Sequence, residues 1–272
     1  MEFEIKPQRQ FSLGLKELWE YRELFYFFTW RDVKVKYKQT VLGFLWAILQ
    51  PLFMTLVFTV FLGQSITQKT NLNIPYPVFA MSGMLLWGIF SGGMSNAANS
   101  MVNNANIIKK IYFPRLIIPV SAILGALVDF AIALVVFVAV LLIYRVGINV
   151  SAILLLPLSI FITCLSAMGC GLLLAAMNVK YRDVRYIIPF LMQGLLFVSP
   201  VLFPPQISSI PIIRLFLKLN PISGALELLR GLFNGYAIDM ETVLLSSSVS
   251  LLLFITGVVY FRKTERYFAD LA

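Results

Sequence analysis

Residues 116–142 read LIIPVSAILGALVDFAIALVVFVAVLL. A helix needs roughly 20 mostly apolar residues to cross a bilayer, and this stretch is longer than that, with Asp129 as its one charged residue. Five other stretches are suited to the same task, at about 41–63, 76–98, 152–177, 187–203 and 242–261, the one at 187–203 being the shortest. The whole chain is 59% hydrophobic and only 13% charged, with a mean hydropathy of +0.85, which takes it out of the soluble class. The expected fold is an all-α polytopic membrane protein with six transmembrane helices. Residues 1–40 are expected to form a cytoplasmic amphipathic interface segment. Residues 41–272 form the six-helix domain, with a re-entrant segment at 204–241 and a short tail at 262–272.

Lys and Arg concentrate in residues 1–40 and in the alternate segments around Lys109, Arg182 and Arg262. The other segments hold Lys69, Arg145 and the group Arg214, Lys218 and Arg230. Basic residues are retained on the cytoplasmic side, so both termini are expected there, and this asymmetry accounts for the net charge of +9. Residues 1–40 hold no uninterrupted apolar core, and the first span is expected to serve as the insertion signal. Charge divided among four segments, rather than gathered on one face, argues against a nucleic-acid partner.

The chain has no histidine, which excludes a His-bearing metal site and a Ser/His/Asp triad; no metal site is expected. Cys164 and Cys170 lie six residues apart in one span, on different helix faces, and are read as buried thiols. The phosphate-loop pattern GxxxxGK[ST] is absent, as are paired acids and bases within the spans. Catalytic residues are therefore not expected.

Leu15 to Lys38 reads as an amphipathic helix lying in the membrane interface, with Leu18, Tyr21, Phe25 and Phe28 on one arc. Leu42 and Gly43 follow where the chain turns into the bilayer, and the glycine permits the turn. Residues Ile107, Ile108, Lys109, Lys110, Ile111, Tyr112 and Phe113 read as a short cytoplasmic helix with its apolar side chains exposed. That is a docking element or, alternatively, an interfacial loop dipping into lipid. The segment 178–186, NVKYRDVRY, also begins with Asn and carries alternating charge.

Residues 204–241 are too long and apolar for an ordinary loop and are punctuated by Pro and Gly. They are expected to form two short helices, about Ile207–Leu219 and Ile222–Asn234, that re-enter the outer leaflet. Glu227 and Arg230, at i and i+3, are expected to pair locally.

Asp129 inside a span costs about 2.5–3.5 kcal/mol and calls for a partner. No basic group is expected at its depth, so Gln50, Thr163, Ser166 and Gln193 are the candidates. A packing role is preferred to ion coupling. Trp46, Gln50 and Phe53 on the first span and Phe190, Gln193 and Phe197 on the fifth form stripes of rings and amides. These suit a sugar chain, whose C–H faces meet rings and whose hydroxyls meet amides; ordinary helix packing and lipid contact are the alternatives. Gly88 and Gly92 form a GxxxG pair of the kind that admits a close helix neighbour.

The runs RDVKVKYKQTVLGFLWAILQPLF (31–53), NNANIIKKIYFPRLIIP (103–119) and NPISGALELLRG (220–231) together resemble the permease subunit of type-2 ABC exporters in the polysaccharide branch, which moves O-antigen, capsule and teichoic acid chains on lipid carriers. The resemblance implies two copies of this chain forming a pore in a bacterial or archaeal cytoplasmic membrane, above two copies of a separate ABC ATPase. ATP and Mg would be bound by that partner, and this chain would bind no cofactor. Ile107–Phe113 would be the coupling helix, and Tyr181, Arg182, Asp183 and Arg185 a second contact. Leu42 and Gly43 would edge the entrance, and Ile207–Asn234 would be the outer gate. The lipid pyrophosphate end of the substrate would come in near Arg31, Lys34, Lys36 and Lys38, which are equally readable as topology charges. An exporter of lipid or drug on the same scaffold, or a proton-coupled carrier using Asp129, are the competing functions.

Overall fold

The computed structural model describes residues 15–38, 42–70, 72–181 and 183–265, except for the side chains of residues 15–17 and 151. Among the described residues five helices are long and apolar enough to cross a membrane. They are α3 (Leu45–Thr70), α4 (Tyr76–Asn103), α6 (Ile117–Ile143), α7 (Leu155–Lys180) and α11 (Met240–Glu265). The shorter elements are α1 (Leu15–Glu20), α2 (Arg22–Lys38), α5 (Ala105–Ile108), α8 (Val184–Val198), α9 (Pro211–Leu219) and α10 (Ser223–Arg230). The chain is an all-α polytopic membrane protein. The expected fifth span is a helix of 15 residues, Val184–Val198, which ends at Ser199 instead of continuing to 203. The last helix runs on through 262–265, where a tail was expected.

α4 is the axis of the bundle. It packs on α6 and α7 along its length, while α3 leans on α4 and α6, and α8 on α4 and α7. α11 packs against the opposite side of α7. Because neighbouring spans gain no hydrophobic energy from leaving lipid, close backbone approach and van der Waals contact hold such a bundle together. The closest approach is between α7 and α11. A Cβ on Gly257 would come within 2.3 Å of the Gly169 carbonyl oxygen, and one on Gly169 within 2.6 Å of the Leu253 backbone.

The expected GxxxG contact is not where helices meet. A Cβ on Gly88 would touch nothing within 4 Å, and one on Gly92 would reach only Ala126 at 4.0 Å. The repeat shows that two glycines share a face, not that a neighbour of the same chain covers it.

Inside α3 a π-helical turn, Thr59–Gly63, follows the interior Pro51. Before α3, Gly43 adopts φ +46°, a left-handed conformation that a side-chain-bearing residue resists, so the turn between α2 and α3 does use the glycine.

The N-terminal helix is in contact with the long helices. α2 packs along α6 in the same direction. Thr29 donates to the Ser121 carbonyl at 3.3 Å, and two turns farther on Lys36 and Tyr37 reach Asp129. Phe28 is buried in an apolar cluster with Phe113, Ile117, Val258 and Phe261. The outward side of the helix carries Trp19, Tyr26, Phe27 and Trp30, all exposed.

Gly257→Ala is expected to cost about 1–3 kcal/mol of stability, as overpacking does, and Gly88→Ala to be neutral. Thermal denaturation of the detergent-purified variants compares the two.

Candidate functional site

The expected docking segment is a turn, not a seven-residue helix. α5 covers only Ala105–Ile108. Asn104, which precedes it, donates its side-chain amide back to the Ser100 carbonyl at 2.8 Å, closing the end of α4. Lys109 and Lys110 are exposed, as are Ile111 and Tyr112 at 62% and 76%. Ile107 is half-buried, and Ile108 and Phe113 are buried. The expectation that all five apolar residues face outward is therefore corrected. The apolar cluster beside α2 draws Phe113 inward, its ring centroid 5.7 Å from that of Phe28. A cavity of ≈ 310 Å³ lies beneath the tip, lined by Ile108–Phe113 and Arg115.

Of the second segment, Tyr181 is half exposed with the Lys180 ammonium 5.0 Å from its ring centroid, and Asp183 and Arg185 are exposed. Arg182 lies outside the described residues. Asn178, one turn earlier, donates to the Ala98 carbonyl at 2.9 Å and to Asn99 Oδ1 at 3.2 Å, which ties the end of α7 to α4.

The four cations expected at an entrance divide into two kinds. Arg31 is held by its neighbour Asp32 at 2.7 Å and sits 4.8 Å above the Phe28 ring. Lys36 Nζ lies 2.5 Å from Asp129 Oδ2, and the Tyr37 hydroxyl donates to Asp129 Oδ1. Burial, together with that hydrogen bond, pushes the Tyr37 phenol up and keeps it a proton donor. Lys34 and Lys38 are exposed.

Asp129 therefore does have a basic partner. Gln50 and Gln193 are exposed, and Thr163 and Ser166 donate elsewhere, to the Ser159 and Ile162 carbonyls among others. The partner was missed because Lys36 belongs to a segment assigned to the interface, and only the packing of α2 along α6 brings it to Asp129.

Trp46, Gln50 and Phe53 are exposed and lie across α3 from its buried residue Thr55, given about 100° of rotation per residue. Phe190, Gln193 and Phe197 are likewise exposed, across α8 from buried Val184 and Ile188. Both stripes point away from the body of the chain. α3 and α8 meet at one end, where the Phe58 and Phe197 rings make edge contact with centroids 6.5 Å apart.

α3 and α8 both pack on α4, whose single open face carries Gly88, Ser91, Gly92, Ser95, Asn96 and Asn99. These positions fall on one side of a 3.6-residue helix. The periodicity is legible in the sequence, where Gly88 and Gly92 read as a packing pair.

The segment after α8 breaks the helical pattern twice, and side chains satisfy the exposed carbonyls each time. Arg230 donates from Nη1 to the Pro200 carbonyl at 3.0 Å and from Nη2 to that of Val201 at 2.7 Å. Its guanidinium lies 3.5 Å from the Phe79 ring centroid. Tyr76 donates to the Leu202 carbonyl at 3.0 Å. At the break between α9 and α10, Ser246 donates to the Asn220 carbonyl at 2.8 Å, and Ser166 and Ser250 donate to that of Pro221 at 3.0 and 2.7 Å.

The expected Glu227–Arg230 ion pair gives way to this arrangement. Glu227 instead accepts from the Tyr236 hydroxyl at 3.0 Å, because carbonyls that α10 brings close compete for the guanidinium. α10 is buried throughout, against α7, α11 and α4. Farther out, hydrogen bonds from Lys218 to Glu241 and Asp239 push its ammonium above the usual lysine range and fasten α9 to the start of α11.

The described residues thus form an all-helical membrane bundle with an exposed turn at 109–112, a segment after α8 laced by side chains, and one open polar face on α4. The chain belongs to the ABC-2 type transporter family, whose model matches residues 23–234. Among its relatives, the O-antigen export system permease protein RfbA of Myxococcus xanthus is 28% identical over 94% of this chain and 98% of its own length. RfbA of Klebsiella pneumoniae is 26% identical over 89% of this chain and 92% of its own length. The polysialic acid transport protein KpsM of Escherichia coli is 25% identical over 86% and 91%.

Arg230→Met keeps the bulk but leaves two buried carbonyls without donors. It is expected to cost about 1–3 kcal/mol for each group left unsatisfied, read as a lowered thermal midpoint of the purified chain.

Proposed function

We propose that the chain is the membrane permease subunit of an ATP-driven exporter that moves lipid-linked polysaccharide of the O-antigen kind across the bacterial cytoplasmic membrane. The observation that carries this reading is the open face of α4. An amide brought into an apolar medium without a hydrogen-bond partner costs about 2–7 kcal/mol, so Asn96 and its neighbour Ser95 are poor lipid-facing residues, whereas Asn99 is bonded to Asn178 and to the Ser95 carbonyl. A second copy of the chain across a hydrated path supplies what they lack. On either side of that path the stripes Trp46–Gln50–Phe53 and Phe190–Gln193–Phe197 offer rings for sugar C–H faces and amides for hydroxyls. They guide a long polymer without gripping it. The names borne by the relatives support a polysaccharide cargo over a drug or lipid.

Energy comes from a separate ABC ATPase, present in two copies, which carries ATP and Mg. The exposed tip Lys109, Lys110, Ile111 and Tyr112 is its main contact, and Tyr181–Arg185 a smaller one. Both termini face the cytoplasm, as the distribution of Lys and Arg supports. α8 completes a sixth crossing together with residues up to 203. Residues 204–241 enter the outer leaflet, where non-helical backbone is tolerated only when protein satisfies it, as the serines of α7 and α11 do at Asn220 and Pro221. Leu42 and Gly43 edge the cytoplasmic entrance, where Lys34 and Lys38 attract phosphate. The ion pair of Asp129 with Lys36 weighs against a proton-coupled carrier.

Proteoliposomes containing the chain and the ATPase encoded beside it are expected to hydrolyse ATP and export glycan, and the chain alone to do neither. Tyr112→Ala is expected to weaken ATPase association, and Trp46→Ala or Phe197→Ala to slow export with assembly intact. Efficient export without any ATPase overturns the reading, and unchanged export in the stripe variants returns the stripes to packing.

A further inference from the structure

The first span is irregular at two places. Pro51 removes one backbone donor from the interior of α3, and the π-helical turn Thr59–Gly63 follows farther along the same helix. A π turn bonds residue i to i+5 and so holds one residue more than an α turn; such turns are rare and recur at functional sites. A side chain steadies this one, since the Thr59 hydroxyl donates to the Thr55 carbonyl at 2.6 Å.

The two parts of α3 on either side of the turn are held unequally. In the outer part Gly63 and Ile66 are buried. A Cβ on Gly63 would lie 3.1 Å from the Tyr76 ring, and Tyr76 is itself tied to the Leu202 carbonyl. In the inner part Thr55 is the one buried residue of Leu45–Phe58, and its hydroxyl oxygen has no hydrogen-bond partner among the described residues. A buried hydroxyl left unpaired carries the cost of its lost hydration, which turning Thr55 outward relieves. At the start of the inner part the left-handed Gly43 is a backbone position able to absorb a rotation.

We propose that Thr59–Gly63 is a register joint, passing between the π form seen here and an α form and so rotating the inner part of the first span against a fixed outer part. Feeding the surplus residue into the α-helix turns the inner part by about 100° and moves it by about 1.5 Å along the axis. Trp46, Gln50 and Phe53 turn with it. Phe58, which adjoins the joint, then leaves the Phe197 ring that it meets with centroids 6.5 Å apart. The stripes of α3 and α8 are thus joined at one end in the π form and parted in the α form. Opposing contributions balance the two: the π form keeps the ring contact, and the α form regains regular bonding and frees the Thr55 hydroxyl. The inference rests on the exporter reading for what the motion serves, and the motion itself does not depend on it.

Because the turn holds a surplus residue, removing one closes it to an α turn and leaves both parts facing as they do now. A deletion therefore abolishes the motion while keeping the static arrangement, which separates a joint from an incidental irregularity. Val60 and Phe61, 71% and 76% exposed, are the residues to remove, one at a time. Each deletion variant, reconstituted with the ATPase, is expected to keep the thermal midpoint, assembly and ATPase association of the wild type and to lose glycan export. Spin labels at Leu49→Cys and Gln68→Cys, with Cys164 and Cys170 changed to Ala, report the motion by double electron–electron resonance. Two distance populations whose ratio shifts with ATP are expected in the otherwise unaltered chain, and one population once Val60 is deleted. Export at the wild-type rate by either deletion variant overturns the joint, as does a single population that ATP leaves unchanged. Loss of folding in both deletion variants also overturns it, since the turn then holds no surplus residue. A wild type that exports no glycan with its ATPase removes the exporter reading instead, and the two distance populations still report the joint.

Discussion

A peptide carbonyl that has lost its helical partner inside an apolar bundle must find a donor from the protein, and the segment following Val198 is organised by that requirement. Three consecutive carbonyls, Pro200 to Leu202, are taken by Arg230 and Tyr76. Two more, at Asn220 and Pro221, are taken by Ser166, Ser246 and Ser250. The donors come from α4, α7, α10 and α11, so the two helix breaks lace together the same helices that the glycines bring close. Gly83 belongs to this lacing, since a Cβ there would lie 2.2 Å from the Val201 carbonyl oxygen. The segment after Val198 is therefore fastened to the other helices of its own chain.

The second polar accommodation lies on the opposite flank. Asp129 is matched by Lys36 and Tyr37 on a helix that precedes the first span. That contact ties the C-terminal part of α2 to α6, and the Phe28–Phe113 ring contact ties its middle to the turn that follows α5.

Hydropathy placed the starts of the five long helices well, with Tyr76 matched and the others within about four residues, while several ends run on farther than expected, because apolar length is a local property. Which way a residue faces is not local. The loop 107–113 had the composition of an exposed apolar helix, yet a cluster made from α2, α6 and α11 turned Ile108 and Phe113 inward. Lys36 lies 93 residues from Asp129, and no periodicity connects them. The Glu227–Arg230 spacing was correct for a pair, but carbonyls supplied by a different segment outcompeted it. The polar face of α4 is the contrary case. Its period was legible, and it was passed over because GxxxG offered a packing explanation.

The central claim is that the open face of α4 lines the route of the glycan. A photo-crosslinking amino acid at position 96, activated in cells during export, tests it most directly, with position 251 on the exposed side of α11 as the comparison. Glycan adducts at 96 and lipid adducts at 251 are expected. Lipid adducts at both positions, in cells that are exporting glycan, contradict the account.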